Sequence, residues 1–106
     1  MVPGVTAFDL AGEQGRYRLA GVATFANARA LLERGTREFA GQSVVELDLS
    51  GVTAADSAGL AVLLAWLQQA RGAGHTLVFR GLPDQLLSTA RVCGVEPLLG
   101  LGAPGA

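Results

Sequence analysis

The apolar residues recur with two different periods along the chain, and each change of period marks a predicted element. Residues 5–10 and 16–21 are rich in β-branched, aromatic and leucine side chains, and the glycines between them predict a turn, so the two segments are expected to form a β-hairpin. Helical spacing follows, with Thr24 as the predicted N-cap of an amphipathic helix that ends near Gly41. The side chains expected to face inward on this helix are Phe25, Ala28, Leu32 and Phe39.

The second half of the sequence repeats strand and helix patterns. Residues 44–49 predict a strand, residues 50–55 a loop, and residues 76–80 another strand. The helix between them is expected to bury Leu60, Leu63, Leu64 and Leu67. A third helix is expected to carry Pro83 in its first turn and to turn Leu86, Leu87, Ala90 and Cys93 inward. The residues that finish the domain are Val95, Leu98, Leu99 and Leu101.

This order of elements predicts an α/β fold in which helices pack on a mixed β-sheet that includes the N-terminal hairpin. The strand–helix–strand portion requires right-handed parallel crossovers. A length of 106 residues, with 50% hydrophobic residues, allows one domain with one core. We therefore expect a single domain over residues 1–106, with its core at about 5–101 and a flexible tail at 102–106.

Charge and cysteine content narrow the possible functions. Charged residues make up 16% of the chain and leave a net charge of -1, so a nucleic-acid partner is not expected. The apolar run at residues 60–67 is shorter than the roughly 20 residues that cross a bilayer, so no direct membrane span is expected. One cysteine, Cys93, and the lack of a secretory signal pattern favour a cytoplasmic location.

The sequence also lacks the side-chain sets that catalysis or metal binding requires. Ser57, His75 and an aspartate could supply the residue types of a hydrolase triad, but no Gly-x-Ser-x-Gly motif is present. One histidine and one cysteine are too few for a zinc site. The sequence has no P-loop motif, so any bound nucleotide is expected on a partner. Together these observations predict no catalytic residues, no cofactor and no metal.

The most specific motif begins with Leu-Asp-Leu-Ser-Gly-Val at residues 47–52 and continues with Asp-Ser-Ala-Gly-Leu at residues 56–60. It resembles the STAS domain family of bacterial anti-sigma-factor antagonists and of a small subunit in lipid-transporting ABC complexes. The resemblance covers nearly the whole chain and implies the STAS fold and a role in binding another protein. In phosphorylation-switched antagonists the residue before the glycine is the modified serine, whereas this chain has Ala58.

Two interpretations of the motif stay open. Asp56 and Ser57 lie at a predicted helix start, where their side-chain oxygens could simply accept hydrogen bonds from the unpaired amides. The resemblance instead implies that this helix start meets the partner, with the Ser57 hydroxyl as a contact or as a substitute phosphoacceptor. Helical geometry also places Ala58, Val62, Ala65 and Gln69 on the outward side of this helix, with Trp66 at its flank. Trp66 could anchor a partner, or it could fold over the edge of its own domain. The predicted partner-binding set is Asp56, Ser57, Ala58, Val62, Ala65, Trp66 and Gln69.

The resemblance also suggests which partner to expect. The segment Gly-Leu-Ala-Val-Leu-Leu-Ala-Trp-Leu at residues 59–67 is similar to that of the STAS subunit of Mla-type phospholipid transporters. The expected partner is therefore the ATPase subunit of an ABC transporter, which connects the chain indirectly to the permease. The alternatives are an anti-sigma kinase bound by an anti-sigma-factor antagonist and a larger stress-sensing assembly.

Asp48 is expected to face the other side of the sheet and to form a hydrogen bond with the loop at residues 50–55.

Overall fold

The elements are taken from a computed structural model that describes residues 7–99. The predictions for Val5, Leu101 and the tail at 102–106 lie outside the described residues. In chain order the elements are β1 (Phe8–Glu13), β2 (Arg16–Ala23), α1 (Ala28–Phe39), β3 (Val44–Ala55), α2 (Ser57–Gly72), β4 (Thr76–Arg80) and α3 (Asp84–Val92), followed by a 3-10 turn at Glu96–Leu99.

The strands of the described chain form one four-stranded sheet in the order β1-β2-β3-β4. β1 and β2 pair antiparallel, with Glu13 opposite Arg16 next to the turn. Gln14 and Gly15 in that turn have positive φ angles of 53° and 79°, which suit a tight hairpin. β2 and β3 pair parallel, as do β3 and β4, with α1 and α2 as the crossovers. The predicted mixed sheet and N-terminal hairpin are confirmed.

One face of the sheet is buried against the helices because apolar and polar side chains alternate along the strands. In β3 the alternation buries Val45, Leu47 and Leu49, and Val52 and Ala55 are buried beyond Gly51. The opposite face carries charged groups, including an ion pair of 2.9 Å between Arg80 Nε and Glu46 Oε2. The packing therefore places the single core between this sheet face and the helices.

Asp48 lies on the polar side of β3, where its Oδ1 accepts a hydrogen bond of 2.9 Å from the backbone amide of Ser50. This bond, more than any other contact, holds the pKa of Asp48 below its usual value, and a hydrogen bond from the Ser50 side chain and the charge of Arg18 act in the same direction. The expected bond from Asp48 to the segment that follows it is confirmed.

The predicted loop at residues 50–55 is wrong, because β3 continues without a break to Ala55. Gly51 allows this continuation by close packing on β2: a Cβ atom at Gly51 would lie 2.9 Å from the Cβ of Ala20. The strand register shifts between Arg18 and Ala20, as expected for a bulge that bends the pair instead of ending it. β3 therefore delivers Asp56 directly to the start of α2.

The predicted start of α1 is also wrong, since the helix begins at Ala28 and not after Thr24. The side chain of Asn27 holds a turn in front of the helix: its Oδ1 accepts from the Thr24 amide at 3.1 Å, and its Nδ2 donates to the Val22 carbonyl at 2.7 Å. Phe25 consequently lies in this turn and is 81% exposed, although the sequence predicted an inward position for it.

The contact between α1 and α2 is built around Trp66, which is 1% exposed. Its indole nitrogen donates to the Leu32 carbonyl at 3.2 Å, and its ring stacks edge-on against Phe39 with centroids 5.3 Å apart. Gly35 makes room for the ring, because a Cβ atom there would lie 2.2 Å from Trp66 Cζ2. Trp66 thus joins the two helices from the inside.

α3 begins at Asp84, with Pro83 at the N-cap, and buries Leu86 and Ala90 as expected. It ends at Val92, one residue before Cys93. The prediction that Cys93 lies in the core is wrong, since its side chain is exposed beyond the last helical turn. The helical spacing that suggested an inward position does not continue past Val92.

Candidate partner-binding surface

Asp56 caps α2. Its Oδ1 accepts hydrogen bonds from the amides of Ala58 at 2.9 Å and Gly59 at 3.2 Å. These amides have no partner within the helix, so the carboxylate satisfies two donors that would otherwise need water. The capping interpretation of Asp56 is confirmed.

The second oxygen of Asp56 has a different partner, which the sequence pattern did not indicate. Oδ2 accepts a hydrogen bond of 3.1 Å from the amide of Phe25, 31 residues earlier in the chain. One carboxylate therefore fixes both the start of α2 and the turn before α1. Nothing in the local pattern around Phe25 signals this bond, because it depends on β2 and β3 ending side by side.

Gly59 brings the first turn of α2 against the end of β2. A Cβ atom on Gly59 would lie 2.1 Å from the carbonyl oxygen of Ala23, which also accepts from the Asp56 amide at 3.3 Å. A backbone oxygen cannot move aside as a flexible side chain could. The glycine of the motif is thus required by close packing, whatever the partner.

Exposed, uncharged side chains lie beside the half-buried Asp56 carboxylate at this end of the domain. Ser57 and Ala61, one helical turn apart, are exposed, and Ala58 is half-buried between them. Among residues 7–99, Phe25 is the one aromatic residue with an exposed side chain. We call Phe25, Ser57, Ala58 and Ala61 the α2-start surface.

Two members of the predicted partner-binding set do not lie on the surface. Val62 is 4% exposed and Trp66 is 1% exposed, so the prediction that they face outward is wrong. α2 is apolar on most of its sides, and the packing of Trp66 against Gly35 decides which side faces inward. The alternative in which Trp66 packs within its own domain is the correct one.

The remaining predicted residues lie further along α2. Ala65 is half-buried, and Gln69 is exposed about three turns beyond Ser57. The Oε1 of Gln69 accepts a hydrogen bond of 3.1 Å from the Thr36 hydroxyl, which directs this side chain towards α1. The structure therefore groups Asp56, Ser57 and Ala58 together and separates Gln69 from them.

Replacing Asp56 with alanine is expected to lower the free energy of unfolding by about 1 kcal/mol, because the two capped amides lose their acceptor. Urea denaturation would measure this loss. Asp84→Ala is a matched control, since Asp84 lies in the first turn of α3 without forming a side-chain cap. Equal losses in the two variants would contradict the capping role of Asp56.

Within residues 7–99 no group of three or more potential metal ligands is present. In the same part of the chain, no helix is both long and apolar enough to cross a membrane.

Comparison with known proteins places this geometry in a family. The family model described as "Mlab, STAS domain" matches residues 6–100. No curated protein matches the sequence significantly.

Solved structures share the fold at low sequence identity. The anti-sigma factor antagonist SpoIIAA in its unphosphorylated form is 14% identical, with a TM-score of 0.67 over 86% of this chain and 84% of that protein. A structure from Thermotoga maritima described as an anti-sigma factor antagonist is 18% identical, with a TM-score of 0.71 over 87% of this chain and 82% of that one. A sulfate transporter family protein from Wolinella succinogenes is 22% identical, with a TM-score of 0.64 over 80% and 70% of the two chains.

Proposed function

The chain belongs to the STAS domain family, and from this premise we propose that it is a non-catalytic subunit that binds and supports the cytoplasmic ATPase of an Mla-type ABC transporter. Such a transporter maintains outer-membrane lipid asymmetry by moving phospholipids between membranes. The subunit would lie in the cytoplasm, peripheral to the inner membrane through its partner. Its contact with the permease would be indirect.

The observation that carries the binding role is the exposed Phe25. Phe25 is 81% exposed, so the apolar surface of its ring stays in contact with water until a partner covers it. The Asp56 carboxylate holds the Phe25 amide at 3.1 Å, so the ring is attached to a fixed piece of backbone. Aromatic residues, phenylalanine among them, are enriched at the cores of protein interfaces.

The presence of Ala58 favours the ATPase of a transporter as the partner, rather than a protein whose binding is controlled by phosphorylation. It is half-buried directly before Gly59, at the position where switched members of the family carry the modified serine. Alanine has no hydroxyl, so this position cannot accept a phosphate. The description of the matching family model also names Mlab.

The proposed mechanism is thermodynamic linkage. A subunit that binds the assembled ATPase more tightly than its unassembled form stabilises the assembly by the difference in binding free energy. This mechanism requires no contact with ATP or with lipid. It requires only a stable surface that matches the partner.

A second candidate is an anti-sigma-factor antagonist that binds an anti-sigma kinase. Several structural neighbours carry that description. The exposed Ser57 would then be the substitute phosphoacceptor, or the complex would form without a phosphorylation switch.

Affinity purification of the tagged chain from its own detergent-solubilised cells, followed by mass spectrometry, distinguishes the two candidates. We expect an ABC ATPase to be recovered together with its permease. Recovery of a kinase-like anti-sigma factor instead would overturn the transporter proposal.

Phe25→Ala is expected to weaken binding to the recovered partner by about 30-fold, the effect of an interface hot spot worth about 2 kcal/mol. Its effect on unfolding should be within about 0.5 kcal/mol, because the side chain is mostly exposed. Calorimetric titration and urea denaturation measure the two effects. Val92→Ala is the matched control, since Val92 is 89% exposed on α3 and should leave the affinity unchanged. An unchanged affinity for Phe25→Ala would remove Phe25 from the interface.

A further inference from the structure

A cavity of about 220 Å³ lies at the end of the domain opposite the α2-start surface. It is partly open to solvent and is bordered by the last turns of α1 and α2 and by the first residues of β3 and β4. Its lining residues come from all four elements and the turns beside them. They include Phe39, Gln42, Val45, His75 and Leu77.

The inner wall of the cavity is apolar. Val45 and Leu77 are register partners on adjacent parallel strands, so their side chains lie next to each other on the core side of the sheet. Phe39 and Trp66 also line the cavity, and the indole nitrogen of Trp66 already donates to the Leu32 carbonyl. A ligand therefore does not need to satisfy a buried donor on this wall.

Polar groups lie around the apolar wall. The amide of Gln42 donates to the Tyr17 hydroxyl and to the Glu38 carbonyl, each at 2.7 Å, which holds that side chain in place. The Thr36 hydroxyl donates to Gln69. The half-buried imidazole of His75 also lines the cavity and can form a hydrogen bond through either nitrogen.

Charge limits the ligands that fit. None of the described residues around this cavity is aspartate, glutamate, lysine or arginine. An ionised ligand would lose part of its water without gaining an opposite charge, which weakens its binding. A neutral compound with an apolar body would not incur that cost.

We propose that this cavity binds a small neutral ring compound that carries one hydroxyl group. Its ring would pack against Phe39, Val45 and Leu77, and its hydroxyl would bond to the polar groups beside them. The size agrees, since an apolar cavity of about 150 Å³ in another protein holds benzene, and this cavity, at about 220 Å³, has room for the additional hydroxyl.

The test uses Trp66 as a built-in reporter, because it is the only tryptophan of the chain and it lines the cavity. Cyclohexanol titrated into the native protein is expected to change the tryptophan emission with saturation, at a dissociation constant on the order of 1 mM. Cyclohexanecarboxylate, which has the same ring with a negative charge, should bind at least about 10-fold more weakly. No saturable change with cyclohexanol would overturn the proposal.

Filling the cavity tests the location. Ala70→Leu and Ala73→Leu, at two separate lining positions, should each weaken cyclohexanol binding at least about 10-fold. Ala30→Leu is the matched control, on an exposed position of α1 outside the cavity, and should bind like the native protein. Far-UV circular dichroism identifies any variant that does not fold, and the other variant then provides the result. Native affinity in a folded Ala70→Leu or Ala73→Leu protein would overturn the proposal.

Discussion

Trp66→Ala is expected to lower the free energy of unfolding by about 3–5 kcal/mol, the range for removing a buried tryptophan. The ring is almost completely buried between α1 and α2, where it contacts Phe39 and bonds to the Leu32 carbonyl. Its removal leaves a void that the helices can close only in part, and it takes away one of the two side-chain donors to that carbonyl, the other being the Thr36 hydroxyl at 2.8 Å. Urea denaturation followed by far-UV circular dichroism measures the loss without depending on tryptophan emission.

Gln68→Ala is the control on the same helix, since Gln68 is exposed and its loss should change stability by less than about 0.5 kcal/mol. Gly35 provides a sharper check. In the native protein Gly35→Ala should destabilise, because the new Cβ would lie 2.2 Å from the indole ring. In the Trp66→Ala background the same change should stabilise by up to about 1 kcal/mol, because alanine favours helix over glycine. The absence of this reversal would contradict the assigned contact.

Gly59→Ala is expected to cost about 3 kcal/mol, at the upper end of the range for overpacking. The new Cβ would lie 2.1 Å from the Ala23 carbonyl oxygen, and relief of this clash requires α2 to move away from β2. That movement would also disturb the hydrogen bonds of Asp56 and shift Ser57, so binding to a partner should weaken along with stability.

Gly72→Ala is the matched control at the other end of α2. A Cβ atom there would have no heavy atom within 4 Å, so this variant should be neutral or more stable by about 0.4–1 kcal/mol. Thermal and urea denaturation of both variants provide the comparison. Similar stabilities for Gly59→Ala and Gly72→Ala would show that the contact with Ala23 is not as close as described.

Local patterns in the sequence were sufficient to predict the order of the elements, the hairpin and the mixed sheet. They also predicted the cap at Asp56 and the bond from Asp48 to the next residues, because both depend on neighbours within three positions. Such contacts follow from residue type and local backbone geometry, and they change little with the rest of the fold.

The rotation of α2 could not be predicted in the same way. Leucine, valine, alanine and tryptophan occupy every position of residues 58–67 except Gly59, so several inward faces fit the spacing equally well. The outcome depends on Gly35 in another helix, which leaves the space that Trp66 fills. The exposed position of Phe25 depends likewise on Asn27 and Asp56, whose bonds form only when the strands are assembled.

The end of β3 was missed for a related reason. Ser50 and Gly51 ordinarily favour a turn, and no local feature shows that Gly51 will pack on Ala20 of the neighbouring strand. The glycine that suggested the end of the strand is the residue that lets it bend and continue.

The shared carboxylate of Asp56 has a consequence for the kinetics and entropy of association. Because one side chain restrains both the Phe25 turn and the α2 start, the two parts of the surface are already arranged before a partner arrives. An incoming protein then loses little binding free energy to ordering the backbone of this domain, and the encounter does not wait for a loop to fold. The proposed complex can in this way last although few side chains of a small domain contribute to it.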